Sequence, residues 1–126
     1  MTTRKKAKRQ SLTTIRHKLT HMSLNFSTKN IEINEEKLYG SIGELDNALL
    51  AFFWVGEKPK LGSVSVTLPD RSSSHLLGDR HELLSKMIGE KLASGFDKIA
   101  LVSTNLPLDF DGRVVLRLLN ELLEED

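Results

Sequence analysis

The chain has no cysteine, which excludes disulfides, thiol chemistry and thiolate-ligated metal sites. Three prolines and seven aromatics are spread over 126 residues, with a single tryptophan. No apolar run is long. The longest, Ala48–Gly56, has nine residues, well short of the roughly 20 that a membrane-spanning helix needs. The first residues lack the apolar core of a signal peptide, so the expected location is the cytoplasm, with the nucleus open. No P-loop, Gly-x-Gly-x-x-Gly, Gly-x-Ser-x-Gly or His-Glu-x-x-His pattern occurs. Acidic residues are missing from positions 1–18, which hold Arg4, Lys5, Lys6, Lys8, Arg9, Arg16 and Lys18. The remainder carries 11 basic against 17 acidic residues, so a basic arm precedes an acidic body.

That arm, residues 1–20, is charged and aromatic-free, the composition of a disordered segment. Arg4, Lys5, Lys6, Lys8 and Arg9 read as a solvated tail, a nuclear-localisation signal or a polyanion-binding patch. The arm also has the charge to fold back on its own body. Residues 21–126 have the length of one domain with a core of its own.

What is present centres on Ala48–Gly56, which contains Phe52, Phe53 and Trp54 and no charge. Its β-branched and aromatic content predicts a strand, and the lack of polar alternation predicts cover on both faces. Helices account for one cover; the other is unassigned, a partner protein among the candidates. Before it, Met22, Leu24 and Phe26 alternate with polar residues over His21–Thr28, predicting a half-buried strand that turns at Lys29-Asn30. Extended chain is expected over Lys37–Leu45, then a tight turn at Asp46-Asn47. Gly40 and Gly43 in that segment would mark a bulge or a close backbone approach.

Downstream, Ser63–Leu68 alternates strictly between hydroxyls and valine or leucine, another half-buried strand. Arg71–Ser74 reads as a polar loop. Asp79 is expected to cap a helix, with Glu82 three residues on completing a capping box and Gly95 ending it. Leu83, Leu84, Met87, Ile88 and Leu92 form its apolar stripe. Ile99–Val102 is a further apolar strand. Leu106-Pro107-Leu108-Asp109 is expected to start a last helix running to about Glu124, and the acids Asp109 and Asp111 at its start are explained by capping and the macrodipole without catalysis. Its apolar residues, Val114 to Leu123, span an arc of roughly 200°, where a helix lying on a sheet needs about 100°. A partner or a neighbouring helix of the same chain would cover the excess. The fold class these elements define is α+β. His75 and His81 flank Asp79, a pattern that surface residues explain better than a metal site. Ser72, Ser73 and Ser74 beside His75 lack a third group to orient them as a nucleophile. The chain is therefore expected to be no enzyme and to hold no cofactor or metal.

Four strings carry a resemblance. They are Ser23-Leu24-Asn25-Phe26-Ser27, Leu49–Gly56 with Phe53-Trp54-Val55-Gly56, Leu76-Leu77-Gly78-Asp79, and Val102-Ser103-Thr104-Asn105-Leu106. In order and spacing they resemble the proteasome assembly chaperone 4 family over roughly residues 22–126; the arm, the loop Glu57–Gly62 and the segment Ile31–Gly43 lie outside or match poorly. The resemblance implies an antiparallel sheet of five to six strands with two helices on one face. It implies a non-enzymatic chaperone of 20S proteasome biogenesis that pairs with proteasome assembly chaperone 3, sheet to sheet, and binds the proteasome α5 subunit to promote α-ring assembly. The chain ends Leu123-Glu124-Glu125-Asp126, without the hydrophobic-Tyr-any tail that some proteasome chaperones insert into ring pockets. Under this resemblance Phe52, Trp54, Val64 and Val66 are the candidates for the partner-facing sheet, though each reads equally as core beneath the helices. Leu76, Leu77 and Asp79, within Arg71–Asp79, are candidates for contact with the proteasome subunit. The competing reading is a nucleic-acid-associated or nuclear adaptor protein acting through the arm, with binding that falls steeply with salt; the acidic body opposes it.

Overall fold

The computed structural model describes residues 24–124. The basic arm, including Arg4, Lys5, Lys6, Lys8 and Arg9, and the start of the strand expected at His21 lie outside the described residues. In chain order the elements are β1 (Phe26–Ile33), β2 (Glu36–Glu44), β3 (Ala48–Val55), β4 (Ser63–Thr67), β5 (Ser73–Leu77), α1 (Glu82–Phe96), β6 (Ile99–Asn105) and α2 (Gly112–Leu123). The six strands form one sheet in the order β1-β2-β3-β6-β4-β5.

Two hairpins build the first half. Asn34 and Glu35 both take left-handed backbone angles, the geometry of a two-residue turn that follows the twist of its strands. Ile33 faces Glu36 across it. The turn expected at Lys29-Asn30 is absent. Those residues pair with Gly40 and Tyr39 in mid-strand, and the alternation simply continues to Ile33, where an asparagine tolerates the left-handed bend. The second hairpin turns at Asp46-Asn47 as expected, closed by Leu45 N–H donating to the Ala48 carbonyl at 2.7 Å.

The sheet is mixed, because β6 enters between β3, to which it is parallel, and β4, to which it is antiparallel. The other three pairings are antiparallel. The chain leaves β3, forms β4 and β5 beyond a gap, and returns through α1 to fill it. A helix crossover of this kind is what a parallel neighbour requires. Ile99–Asn105 thus lies between two strands, which explains its apolar run.

Register decides which residues share a face. Gly40, Phe53, Thr104 and Ser63 lie in one cross-strand row, and Ile42, Ala51, Val102 and Ser65 in the next. Both helices cover this side. Their buried residues, Leu84, Ile88, Leu92 and Ala93 of α1 and Val115, Leu118, Leu119 and Leu122 of α2, form one core with Leu38, Leu49, Ala51, Phe53, Ala100 and Val102. Gly40 is a close approach rather than a bulge: a Cβ there would meet Phe53 at 2.9 Å and Leu118 and Leu122 at 3.0 Å. The alternating strand β4 turns its hydroxyls, Ser63, Ser65 and Thr67, toward the helices, and all three are buried. Small residues on α1 answer them. Ser85 Oγ lies 3.4 Å from Thr104 Oγ1, and Gly89 sits directly on Thr67.

Several local expectations are corrected. Arg71–Ser74 is not wholly loop, since Ser73 opens β5. Asp79 does not cap α1. The helix starts at Glu82 behind a left-handed His81 with no side-chain cap. The segment before it is tied elsewhere: Arg80 N–H donates to Ser63 Oγ at 3.2 Å, and His81 Nε2 meets the Pro107 carbonyl at 2.8 Å. At the other end α1 runs past Gly95 to Phe96, and Asp97 takes the left-handed closing position. Leu83, 72% exposed, and Met87 leave the expected apolar stripe, because α1 meets the sheet through Ser85, Gly89 and Ala93 instead. The last helix starts at Gly112 rather than at Asp109, because Pro107–Phe110 forms a turn and Asp111 caps α2, accepting from Arg113 N–H at 3.0 Å. The wide apolar arc of α2 is taken up within the chain, as Val114, Leu116 and Leu123 pack half-buried against the core.

Candidate functional site

The face away from the helices has no second layer among the described residues. Strand alternation places Phe26 and Thr28 of β1, Tyr39 and Ser41 of β2, and Phe52 and Trp54 of β3 there. Phe52 lies in a row with Ser103 and Val64, and Val66 pairs with Leu101. Val64 pairs in turn with Leu77 on the edge strand. The candidate residues Phe52, Trp54, Val64 and Val66 therefore share this one face. An apolar band crosses the sheet, from Phe26, 41% exposed, to Leu77, 53% exposed.

Two aromatic pairs organise it. Phe26 and Phe52 lie 6.1 Å apart, tilted by 51°. Phe26 reaches this position by lying on Gly43, where a Cβ would be 2.6 Å from its ring. Tyr39 and Trp54 stack at 5.6 Å with planes 4° apart. Between the pairs Thr28 and Ser41 bond hydroxyl to hydroxyl at 2.8 Å. The loop after β3 folds over the edge of the band, and Pro59, Lys60 and Leu61 wall a groove of about 500 Å³ against the four rings. That loop is pinned at three points. Tyr39 hydroxyl donates to Glu57 at 2.9 Å, Gly62 N–H donates to Ser103 Oγ at 3.0 Å, and Asn105 Nδ2 donates to the Leu61 carbonyl at 3.1 Å. Donation to the Glu57 carboxylate raises the Tyr39 pKa above the ordinary phenol value.

Trp54 is only 5% exposed, yet its indole N–H finds no acceptor. A buried donor without a partner is uncommon. Chemically the groove offers flat aromatic surface, a few hydroxyls and one unpaired donor. It contains no acid–base or nucleophilic constellation, and it suits the docking of another apolar surface.

Leu76, Leu77 and Asp79 lie apart from the aromatic pairs, on and just after the free edge strand, and all three are exposed. His75 and His81 do not converge. His75 Nε2 is hydrogen-bonded to the Gly78 carbonyl and lies 3.8 Å from Glu82, while His81 is held on Pro107. Among the described residues no group of three or more His, Asp or Glu side chains is arranged to hold a metal. Sequence reasoning missed Tyr39 and Leu61 as parts of the groove. Tyr39 shares its parity in β2 with Ser41, a signal within reach; nothing in Glu57–Gly62 announces a loop folded back over β3.

No family model matches the chain, and no curated protein matches it. Among solved structures it is similar to a chain of a chaperone complex for yeast 20S proteasome assembly. The match has 15% identity and a TM-score of 0.44, and covers 80% of this chain and 91% of the other. That is too distant to assign a function.

Proposed function

We propose that this chain is a non-enzymatic chaperone of 20S proteasome biogenesis that works as half of a heterodimer. Its partner is the related proteasome assembly chaperone 3, met sheet to sheet across the open face, and the pair binds the α5 subunit and promotes α-ring assembly in the cytoplasm and the nucleus. The observation that carries this reading is the apolar band running over Phe26, Phe52 and Val66, with Trp54 and Val64 largely buried within it, upon which no helix lies among the described residues. The resembling strings meet on the same sheet: Phe26 and Trp54 line the groove, and Leu77 continues the band.

An assembly chaperone must hide a surface and later be displaced, which favours an interface built on a few anchors inside a polar rim. The sheet face has this form. Stacked and tilted rings occupy one half, valines the other, and Lys60 and Glu57 stand at the edge. Co-expression with proteasome assembly chaperone 3 and the α5 subunit, followed by native mass spectrometry, tests the proposal. A one-to-one chaperone pair that takes up one α5 supports it. A chain that stays alone beside both co-expressed proteins overturns it.

A further inference from the structure

We propose that the cleft between α1 and the edge strand β5 is an oxyanion site, shaped for a phosphate-type tetrahedral group free in solution or carried on a peptide. The cleft lies on the helix side of the sheet, away from the aromatic band, and the proposal stands independently of the chaperone reading.

The topology makes the cleft. Helix α1 rides over β4 and β6 through Ser85 and Gly89, and it leaves the same face of β5 open. Ser65 pairs with His75 and Thr67 with Ser73, so Ser73 and His75 look toward the helix beside Ser65. The space between has a volume of about 430 Å³, with Ser65, Arg71, Ser73, His75, Glu82 and Lys86 in its lining.

Three features point to an anion. Ser65 is 4% exposed, and its hydroxyl has no hydrogen-bond partner. A buried hydroxyl facing a polar cleft without a partner is a donor awaiting an acceptor. Arg71 and Lys86 come from two further elements, the β4–β5 loop and α1. Among the described residues neither side chain makes an ion pair or a hydrogen bond. Finally, α1 begins at Glu82, in the lining, and no side chain caps its first turn, although the Glu82 carboxylate itself offsets the positive end of the helix.

The opposing charge is Glu82, the single acid of the lining, which stands 3.8 Å from His75 Nε2. Arg71 and Lys86 outweigh it by one positive charge. A cationic lining of this kind repels metal ions. Donors arriving from β4, a loop and a helix suit the divergent oxygens of a tetrahedral group better than the two coplanar oxygens of a carboxylate.

The test is an NMR titration of the full chain at constant ionic strength. The probes are inorganic phosphate, acetate, and a capped Gly-Gly-phosphoserine-Gly-Gly peptide with its unphosphorylated control. Saturable shifts at the amides of Ser65, Ser73 and Lys86, at least tenfold tighter for phosphate than for acetate, are expected. Ser65→Ala and Lys86→Gln should each weaken them at least tenfold. Because Ser65→Ala removes only an unpartnered hydroxyl, the variant should keep its melting temperature, which separates loss of binding from loss of fold. Tighter binding of the phosphopeptide than of phosphate identifies a peptide source; equal binding identifies the free anion. Shifts confined to the basic residues 1–18, shifts that never saturate, or affinities unchanged in both variants overturn the site.

Discussion

Phe52 and Phe53 are neighbours in sequence that face opposite ways, and truncating each should give opposite results. Phe53 is fully buried, and its ring, with Leu118 and Leu122, occupies the space above Gly40. Phe53→Ala removes that contact and leaves a cavity that helices and sheet cannot easily close. The expected loss of stability is about 3–5 kcal/mol. For a domain of this size each kcal/mol lowers Tm by roughly 4–8 °C, so the variant should melt at least about 12 °C early or fail to fold. Phe52 is half-buried on the open face, tilted against Phe26. Burial of a whole phenylalanine side chain is worth about 1.5–3 kcal/mol, so losing a half-exposed one, with no closed cavity behind it, should cost about 1 kcal/mol. Its effect on partner binding should be larger than on folding. An anchor at the centre of an interface costs about 2 kcal/mol or more on truncation, roughly a 30-fold loss of affinity. Thermal unfolding by circular dichroism and titration calorimetry with the proposed partner, proteasome assembly chaperone 3, measure the two quantities. The reasoning fails if the two variants lose equal stability, or if Phe52→Ala binds the partner as tightly as the parent chain.

Three further outcomes follow from particular contacts. Trp54→Phe removes a buried N–H without an acceptor but also part of a buried ring stacked on Tyr39, so Tm should fall by less than in Phe53→Ala; an equal fall would show that the N–H is bonded after all. Gly89→Ala should destabilise the fold, although alanine favours helix by about 1 kcal/mol, because the added methyl meets Thr67 Oγ1. Thr67→Ala in the same chain should recover part of the loss, and an additive double variant would refute the clash. Asp111 has its pKa lowered by the side-chain and backbone N–H groups of Arg113. A carboxylate lowered on folding stabilises the fold fully above its unfolded value of about 3.9, and that contribution is lost as pH falls through the lower folded value. Acid titration of α2 by amide exchange should therefore show a pH-dependent loss that Asp111→Asn lacks.

Much of the layout can be read from residue pattern. Asp46-Asn47 marks a hairpin, Ser63–Thr67 alternates as a strand does, and Asp111 caps the helix it precedes. Other features depend on tertiary contacts that no local pattern carries. Alternation in β4 separates hydroxyls from valines but cannot say which side the helix takes. The answer rests on Gly89 and Ser85, small residues that let α1 approach the hydroxyls. Strand β5 is hidden because Ser73-Ser74-His75 is polar, as an exposed edge strand allows. Asp79 has the right residue type for a cap, but the bonds from Arg80 to Ser63 and from His81 to Pro107 delay the helix by two residues. For the groove, parity alone aligns Phe52 with Trp54; it takes the register through Ser103 to bring Val64 beside them.

The central claim is that the open sheet face belongs to a chaperone of proteasome assembly. Affinity capture of the chain from its native cell extract, with mass spectrometry of what co-purifies, tests it most directly when run beside the Phe52→Ala variant. The account predicts one small related chaperone and free proteasome α subunits, no mature 20S particles, and loss of the chaperone in the variant. Recovery of nucleic acid or unrelated proteins alone, from both chains equally, would contradict it and turn attention to the basic arm.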